Sequence, residues 1–285
     1  MLMGSGIIKV LYGVNFLTNP DVITDYSDPN MVNVNRVLLL FQHLGMFIVP
    51  AIVFGMLVST KWPGRLGFFK PKKILVIAAL VMVLFALPTI NILAWLNEQM
   101  VLPEFLGGLE QLFSGMEDSA ARLTKALTEQ TSPIILIANI LTIALIPALG
   151  EEMIFRGALI PILKKWTNSV HWAVWISAIL FSAMHLQFYG FLPRMLLGAA
   201  LGYLFVWSGS LWVPVIAHFA NNALALILIF LVTRGNITAD IDEFNPTASD
   251  YIWVLLSMAV VTSSLYFIYK NRVATQPEIS HPESE

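Results

Sequence analysis

The sequence predicts an all-α fold, a polytopic transmembrane helical bundle of about seven spans, and three observations predict it. Of 285 residues 57% are hydrophobic and 12% are charged, against about a quarter charged in an ordinary soluble domain. Mean hydropathy is +0.75, and the apolar residues gather into runs near twenty long, the length a helix needs to cross a hydrocarbon core of about 30 Å. These runs do not alternate in polarity, as the strands of a membrane barrel would.

The runs cover roughly Val37 to Val58, Ile74 to Leu96, Ile134 to Leu163, His171 to Leu186, Arg194 to Trp207, Leu211 to Val232 and Tyr251 to Tyr269. Two fall short of a full crossing, and Arg194 to Trp207 is read as a short or tilted helix. Met1 to Leu17 is modestly apolar and reads as an interfacial helix or part of a longer one, with none of the features of a removable signal. The tail from Ala274 to Glu285, rich in Pro, Glu and Ser, reads as disordered. By organisation the chain divides into residues 1–132, with the first spans and a polar surface segment; 133–232, which holds the chemistry; and 233–285, a loop, the last span and the tail.

Charge in the connections orients the bundle. Ser59 to Lys73 holds Lys61, Arg65, Lys70, Lys72 and Lys73, while the next connection holds Glu98, Glu104, Glu110, Glu117, Asp118 and Glu129 against Arg122 and Lys125. The positive-inside rule makes the first cytoplasmic. Lys164, Lys165, Lys270 and Arg272 then fall inside, Asp240, Asp242 and Glu243 outside, so the C-terminus is expected in the cytoplasm. Phe105, Leu109, Leu112 and Phe113 recur at near-helical spacing within the polar segment Asn97 to Ser132, which is expected to lie on the outer membrane surface.

Several functions are excluded or disfavoured by composition. A net charge of −2 with no basic, aromatic-interleaved cluster gives no sign of nucleic-acid binding. The absence of cysteine rules out a disulfide framework, a thiolate metal site and a cysteine nucleophile, and leaves the redox compartment unread.

Ionisable residues inside the spans carry the functional argument, because each costs at least about 2.5 kcal/mol at mid-bilayer and has usually found a partner or a use. The third span holds Glu151, Glu152 and Arg156. Glu152 and Arg156 are spaced i,i+4 and can pair on one face, whereas Glu151 points about 100° away and is left free for chemistry. A structural ion pair beside one neutral carboxyl is the bland alternative. The fourth span adds His185, and the sixth adds His218 and Asn222, again i,i+4. His43 in the first span reads as a satisfied core histidine and His171 as an interfacial one. Counted from the cytoplasmic helix ends, Glu151, His185, His218 and Asn222 lie about 20, 21, 10 and 16 Å deep, which brings three helices to overlapping depth.

The segments Glu151-Glu152-Met153-Ile154-Phe155-Arg156-Gly157, Phe181-Ser182-Ala183-Met184-His185 and His218-Phe219-Ala220-Asn221-Asn222 resemble the EExxxR, FxxxH and HxxxN/D motifs of the CPBP family. That family comprises intramembrane glutamic endopeptidases similar to the CAAX prenyl protease, and bacterial proteins associated with bacteriocin self-immunity. The resemblance runs from about Pro133 to Val232. It implies that Glu151 and His185 activate a water molecule, that His218 and Asn222 stabilise the oxyanion, and that Glu152 and Arg156 support the site. It further implies a peptide or protein substrate at the membrane and no cofactor.

Three rivals compete with this reading. Two glutamates and two histidines could ligate zinc, but the chain lacks the His-Glu-x-x-His helix that supplies two ligands and a base from one face. A proton-coupled transporter would also use membrane carboxylates and histidines, yet no internal repeat is visible. A non-enzymatic scaffold or immunity protein is the third. Of the smaller features, Gly198 and Gly202 permit close helix approach, within the chain or in a dimer, with the intramolecular use favoured. Pro147 and Gly150 precede Glu151, where a kink would admit water and where an ordinary membrane-helix proline is equally in keeping. The expected setting is a bacterial inner membrane, with the catalytic cavity open toward the cytoplasmic side.

Overall fold

The computed structural model describes residues 2–15, 18, 20–100, 103–237 and 244–273. The tail from Ala274 to Glu285, the acidic residues Asp240, Asp242 and Glu243, and Met1, Phe16 and Leu17 lie outside the described residues. The described elements are helical: α1 (Leu2–Tyr12), α2 (Pro29–Val58), α3 (Lys73–Glu98), α4 (Gly107–Thr128), α5 (Pro133–Thr167), α6 (Val170–Ala183), α7 (Phe191–Ser208), α8 (Trp212–Thr233) and α9 (Ala248–Lys270), with short helical turns between some of them.

Local chemistry explains where these helices begin and end. Asp28 accepts from the Asn30 N–H ahead of Pro29 at the start of α2, and Thr247 and Asp250 form a reciprocal capping box on α9. The α7 helix stops at Gly209, whose φ of +64° is the left-handed conformation that glycine adopts without strain. Among the described residues six helices, α2, α3, α5, α7, α8 and α9, are long and apolar enough to cross a membrane, and α6 is a shorter apolar helix of 14 residues. The short element is therefore α6 and not α7, which at 18 residues runs further than its apolar stretch suggested. Leu57, Ile134 and Leu255 are 82%, 78% and 67% exposed, as lipid-facing side chains are when the bilayer is their solvent.

The long helices are not uniform. A π-helical turn interrupts α2 at Leu44–Ile48, and two interrupt α5 at Ile140–Leu145 and Met153–Leu159. Each is followed at its second residue by a proline, Pro50, Pro147 or Pro161. A proline ring lacks the N–H and crowds the carbonyl four residues back, and a π turn absorbs both defects. The irregularity before Pro147 is thus one of three related π turns.

Cross-links define two ends of the bundle. At one end the Leu211 N–H donates to the Gly67 carbonyl at 2.7 Å and the Val273 N–H to the Trp207 carbonyl at 2.9 Å. This end carries the lysine-rich connection, Lys164 and Lys165, and Lys270. At the other, Asn97 at the end of α3 donates to the Phe188 carbonyl and accepts from the Leu192 N–H, and Asn139 links α5 to the Leu127 carbonyl at the end of α4. Two buried apolar clusters fill the middle, one around Met153, Val174, Ala199 and Phe205, the other around Leu75, Met82, Leu201 and Val213. Gly198 and Gly202 serve packing within the chain: a Cβ on Gly202 would meet Val174 Cγ1 at 2.9 Å and one on Gly198 would meet Phe181 Cδ1 at 3.1 Å.

Candidate active site

Glu151 and Glu152 are neighbours in α5 with different surroundings. Glu152, fully buried, receives Arg156 Nη1 on its Oε1 at 2.8 Å. Arg156 also donates to the Gly198 carbonyl at 2.9 Å, and its guanidinium lies 4.7 Å from the centre of the Phe181 ring. The i,i+4 pairing read from the sequence is present, although it spans the entry to a π turn. Glu151 has no lysine or arginine within ion-pair distance among the described residues. Its Oε1 stands 3.6 Å from His43 Nε2 and its Oε2 3.9 Å from His218 Nε2. The carboxylate expected to be free is therefore free of arginine but flanked by imidazoles.

His218 Nδ1 lies 2.9 Å from Glu152 Oε1. The same Oε1 accepts from Arg156 Nη1, so His218 Nδ1 is placed to donate to it while Nε2 faces Glu151. His185 and His43 are oriented the same way, with Nδ1 2.8 Å from the Phe181 carbonyl and 2.9 Å from the Leu39 carbonyl. All three rings spend Nδ1–H on a fixed acceptor, which leaves each Nε2 for other partners.

His185 does not sit on a span. The α6 helix ends at Ala183, and His185 lies in the turn beyond it, just before Leu186 at φ +54°. Three contacts hold that turn in place. The Ser182 hydroxyl donates to the Phe191 carbonyl at 2.7 Å, Asn97 clasps Phe188 and Leu192, and the Phe181 ring packs edge-on against both His185 and His218. Leu211, from which the depth of His218 was counted, is fully buried and donates its N–H to the Gly67 carbonyl, which ties the start of α8 to the first connection.

A cavity of about 590 Å³ brings the groups together, lined by Glu151, His185, His218 and Asn222 among others, with Glu152 and Arg156 behind its wall. Pockets of about 300–1,000 Å³ take small ligands, and this one has room for a few residues of extended peptide. Asn221 Nδ2 donates to Asn222 Oδ1 at 3.2 Å, which orients the Asn222 amide. Among the described residues no group of three His, Asp or Glu side chains is arranged to hold a metal ion.

The cavity also corrects an expectation. Its wall includes Ala120, Leu123, Thr124 and Leu127 of α4 and Gln187 and Gly190 of the α6–α7 turn, so it lies toward the acidic end of the bundle and away from the lysine-rich end. This lining does not favour an opening toward the lysine-rich end, the side expected to be cytoplasmic. The depth count measured distance along each helix and took no account of α4, whose last turns cover the site while Phe105, Leu109 and Leu112 point outward.

Residues 133–224 match the family model described as Type II CAAX prenyl endopeptidase Rce1-like. The segment that carries the three motifs is thus similar to that family. All three motifs fall inside the matched segment, and with six candidate spans the chain is an integral membrane protein. The chain is also 31% identical over 91 residues to the uncharacterized protein YpbD of Bacillus subtilis (strain 168). That match covers 30% of this chain and 43% of the relative, so it spans less than half of that protein's length. No solved structure matches.

Several residues around the matched segment escaped the sequence reading. His43, set aside as a core histidine, stands within ion-pair distance of Glu151. Asn97 positions the His185 turn, and Gln187, Arg194 and Asn221 line the cavity. Asn97 and His43 come from α3 and α2, outside the matched segment. Only a polar residue kept in an apolar run marked them, and that signal does not name a partner.

Proposed function

We propose that this protein is an intramembrane endopeptidase that cleaves a peptide bond in a membrane-associated substrate, with Glu151 as general base. The observation that carries the proposal is the difference between the two neighbouring glutamates: Glu152 is held by Arg156 and His218, while Glu151 faces the cavity among histidine Nε2 atoms. A water between Glu151 and His185 gives a proton to the Glu151 carboxylate as its oxygen attacks the substrate carbonyl carbon. The tetrahedral intermediate carries its negative charge on the former carbonyl oxygen. Asn222 Nδ2, left free when Oδ1 accepts from Asn221, is a neutral donor to that oxygen, and His218 donates from Nε2 when it is protonated at both nitrogens. The C–N bond then breaks and Glu151 returns its proton to the leaving amine.

Glu152 and Arg156 act through position, since Glu152 sets the His218 ring and Arg156 holds Glu152. The description of the matching family motivates a prenylated peptide as the first substrate to try. Cleavage of a farnesylated peptide ending Cys-aliphatic-aliphatic-X, and of its unprenylated counterpart, should be measured for the full chain in nanodiscs with and without a chelator. Turnover that survives chelation and is abolished by Glu151→Gln is the expected result. Undiminished turnover by Glu151→Gln would remove the proposed base, and loss on chelation restored by metal would move the reading to a metalloprotease. Membrane proteomics comparing the unsubstituted protein with Glu151→Gln in cells would then identify natural substrates.

A further inference from the structure

Glu151 is 5% exposed and lies in the middle of a membrane bundle, where an ionised carboxyl without a counter-charge is strongly disfavoured. Arg156 spends its hydrogen bonds elsewhere, on Glu152 at 2.8 Å and the Gly198 carbonyl at 2.9 Å, and acts on Glu151 only through space. Arg194, further along the cavity wall, donates to Gln187 Oε1. The groups near Glu151 are thus the three histidines, and of the two in ion-pair range His43 is the nearer, at 3.6 Å against 3.9 Å for His218.

With Nδ1–H of His43 given to the Leu39 carbonyl, its Nε2 and Glu151 Oε1 would face each other as two lone pairs unless a proton is on one of them. The ring has little freedom to turn away. It stacks on Phe47 with centroids 5.7 Å apart, and Phe47 is buried against Phe155 and Phe181. Phe47 also packs on Gly150, where a Cβ would come within 2.9 Å of Phe47 Cβ, so α2 is seated on α5 at the residue immediately before Glu151. The π turn Leu44–Ile48 begins at the next residue and completes this seating.

We infer that His43 is a positioning residue for Glu151, carrying on Nε2 the proton that leaves Glu151 a carboxylate aimed into the cavity. His43 and Glu151 then form a second neutral pair beside Arg156 and Glu152, and the buried charges balance two by two. The inference rests on the proposed role of Glu151 for its functional meaning, but the pairing itself does not. It also draws α2, which lies outside residues 133–224, into the site.

Infrared spectroscopy of the full chain in detergent at neutral pH tests the pairing without substrate. His43→Gln, which keeps a polar side chain but cannot carry the proton, should gain a protonated-carboxyl C=O band that disappears when Glu151→Gln is added. The unsubstituted chain should show no Glu151-dependent band. With the farnesylated peptide at neutral pH, His43→Ala should lose on the order of tenfold or more in kcat at unchanged KM, because only the ionised fraction of Glu151 can act as base. Added imidazole should restore part of that loss, which it would not do for a purely structural defect. A Glu151-dependent carboxyl band already present in the unsubstituted chain, or none in His43→Gln, overturns the inference. If the bands behave as stated while Glu151→Gln still turns over substrate, the pairing stands and the proposed chemistry fails.

Discussion

His218 Nδ1 meets Glu152 Oε1 at 2.9 Å, on the same oxygen that Arg156 Nη1 reaches at 2.8 Å. One carboxylate oxygen thereby joins the first motif to the third, 66 residues apart in the chain. The proposed support of the site by Glu152 and Arg156 would take this form, an ion pair that orients an imidazole facing Glu151.

Arg156→Ala should therefore damage the fold before it damages the chemistry. It strands Glu152 in a fully buried position, and breaking such a pair by removing one partner costs about 3–5 kcal/mol. The yield of monodisperse protein and the thermal unfolding midpoint in detergent should both fall. An unchanged midpoint would mean that the pair does not hold the bundle together.

The division of labour between base and oxyanion donor should separate two variants. Glu151→Gln keeps the shape but cannot take a proton, so turnover should vanish while peptide affinity persists. Asn222→Ala removes one donor to the oxyanion and should cost about 2.7–4 kcal/mol of transition-state stabilisation, or about a hundred- to thousandfold in rate, leaving slow cleavage measurable. Equal residual rates for the two variants would contradict these roles.

The glycine stripe of α7 yields a packing prediction. A Cβ on Gly202 lies 2.9 Å from Val174 Cγ1, so Gly202→Leu should push α6 away from α7 and lower stability by about 1–3 kcal/mol or more. Because α6 leads directly into the His185 turn, catalytic rate should fall with it. The apparent mass in detergent should stay the same, since the stripe is spent inside one chain; a shift in mass would assign it to a dimer.

Orientation is testable by reporters. A fusion after Lys70 should behave as cytoplasmic and one near Asp118 as external, following the loop charges. Since the cavity is walled by α4, this orientation places it toward the external face, and a thiol-reactive probe that cannot cross the membrane should label Ala120→Cys from outside. Both reporters on one side would overturn the orientation.

The spans, the alternation of loop charge and the i,i+4 partnership of Glu152 with Arg156 were legible in the sequence, because each depends on residues close along the chain and on the solvent around them. The same local logic identified Glu151 as the carboxylate without an arginine, and the order of the three motifs pointed to His185, His218 and Asn222. What it missed follows a pattern. His43 was read as packing since nothing along α2 connects it to α5, and His185 was placed on a helix that ends two residues before it. The end of the bundle at which the cavity lies was not legible, because α4 folds over the site from outside the spans.

Hydropathy and charge along the chain thus determined that this protein is a membrane bundle, where most of its helices run and which polar residues need an explanation. Tertiary structure alone decided which of those residues meet. A π turn adds a residue to one helical turn and rotates everything beyond it by about 100°, so a face counted at 3.6 residues per turn loses its bearing after each interruption. Three such turns flank the site, before and after the glutamates and directly after His43. Which imidazole stands beside Glu151 depends on how those turns seat α2 against α5, a contact between segments about a hundred residues apart that no local pattern encodes.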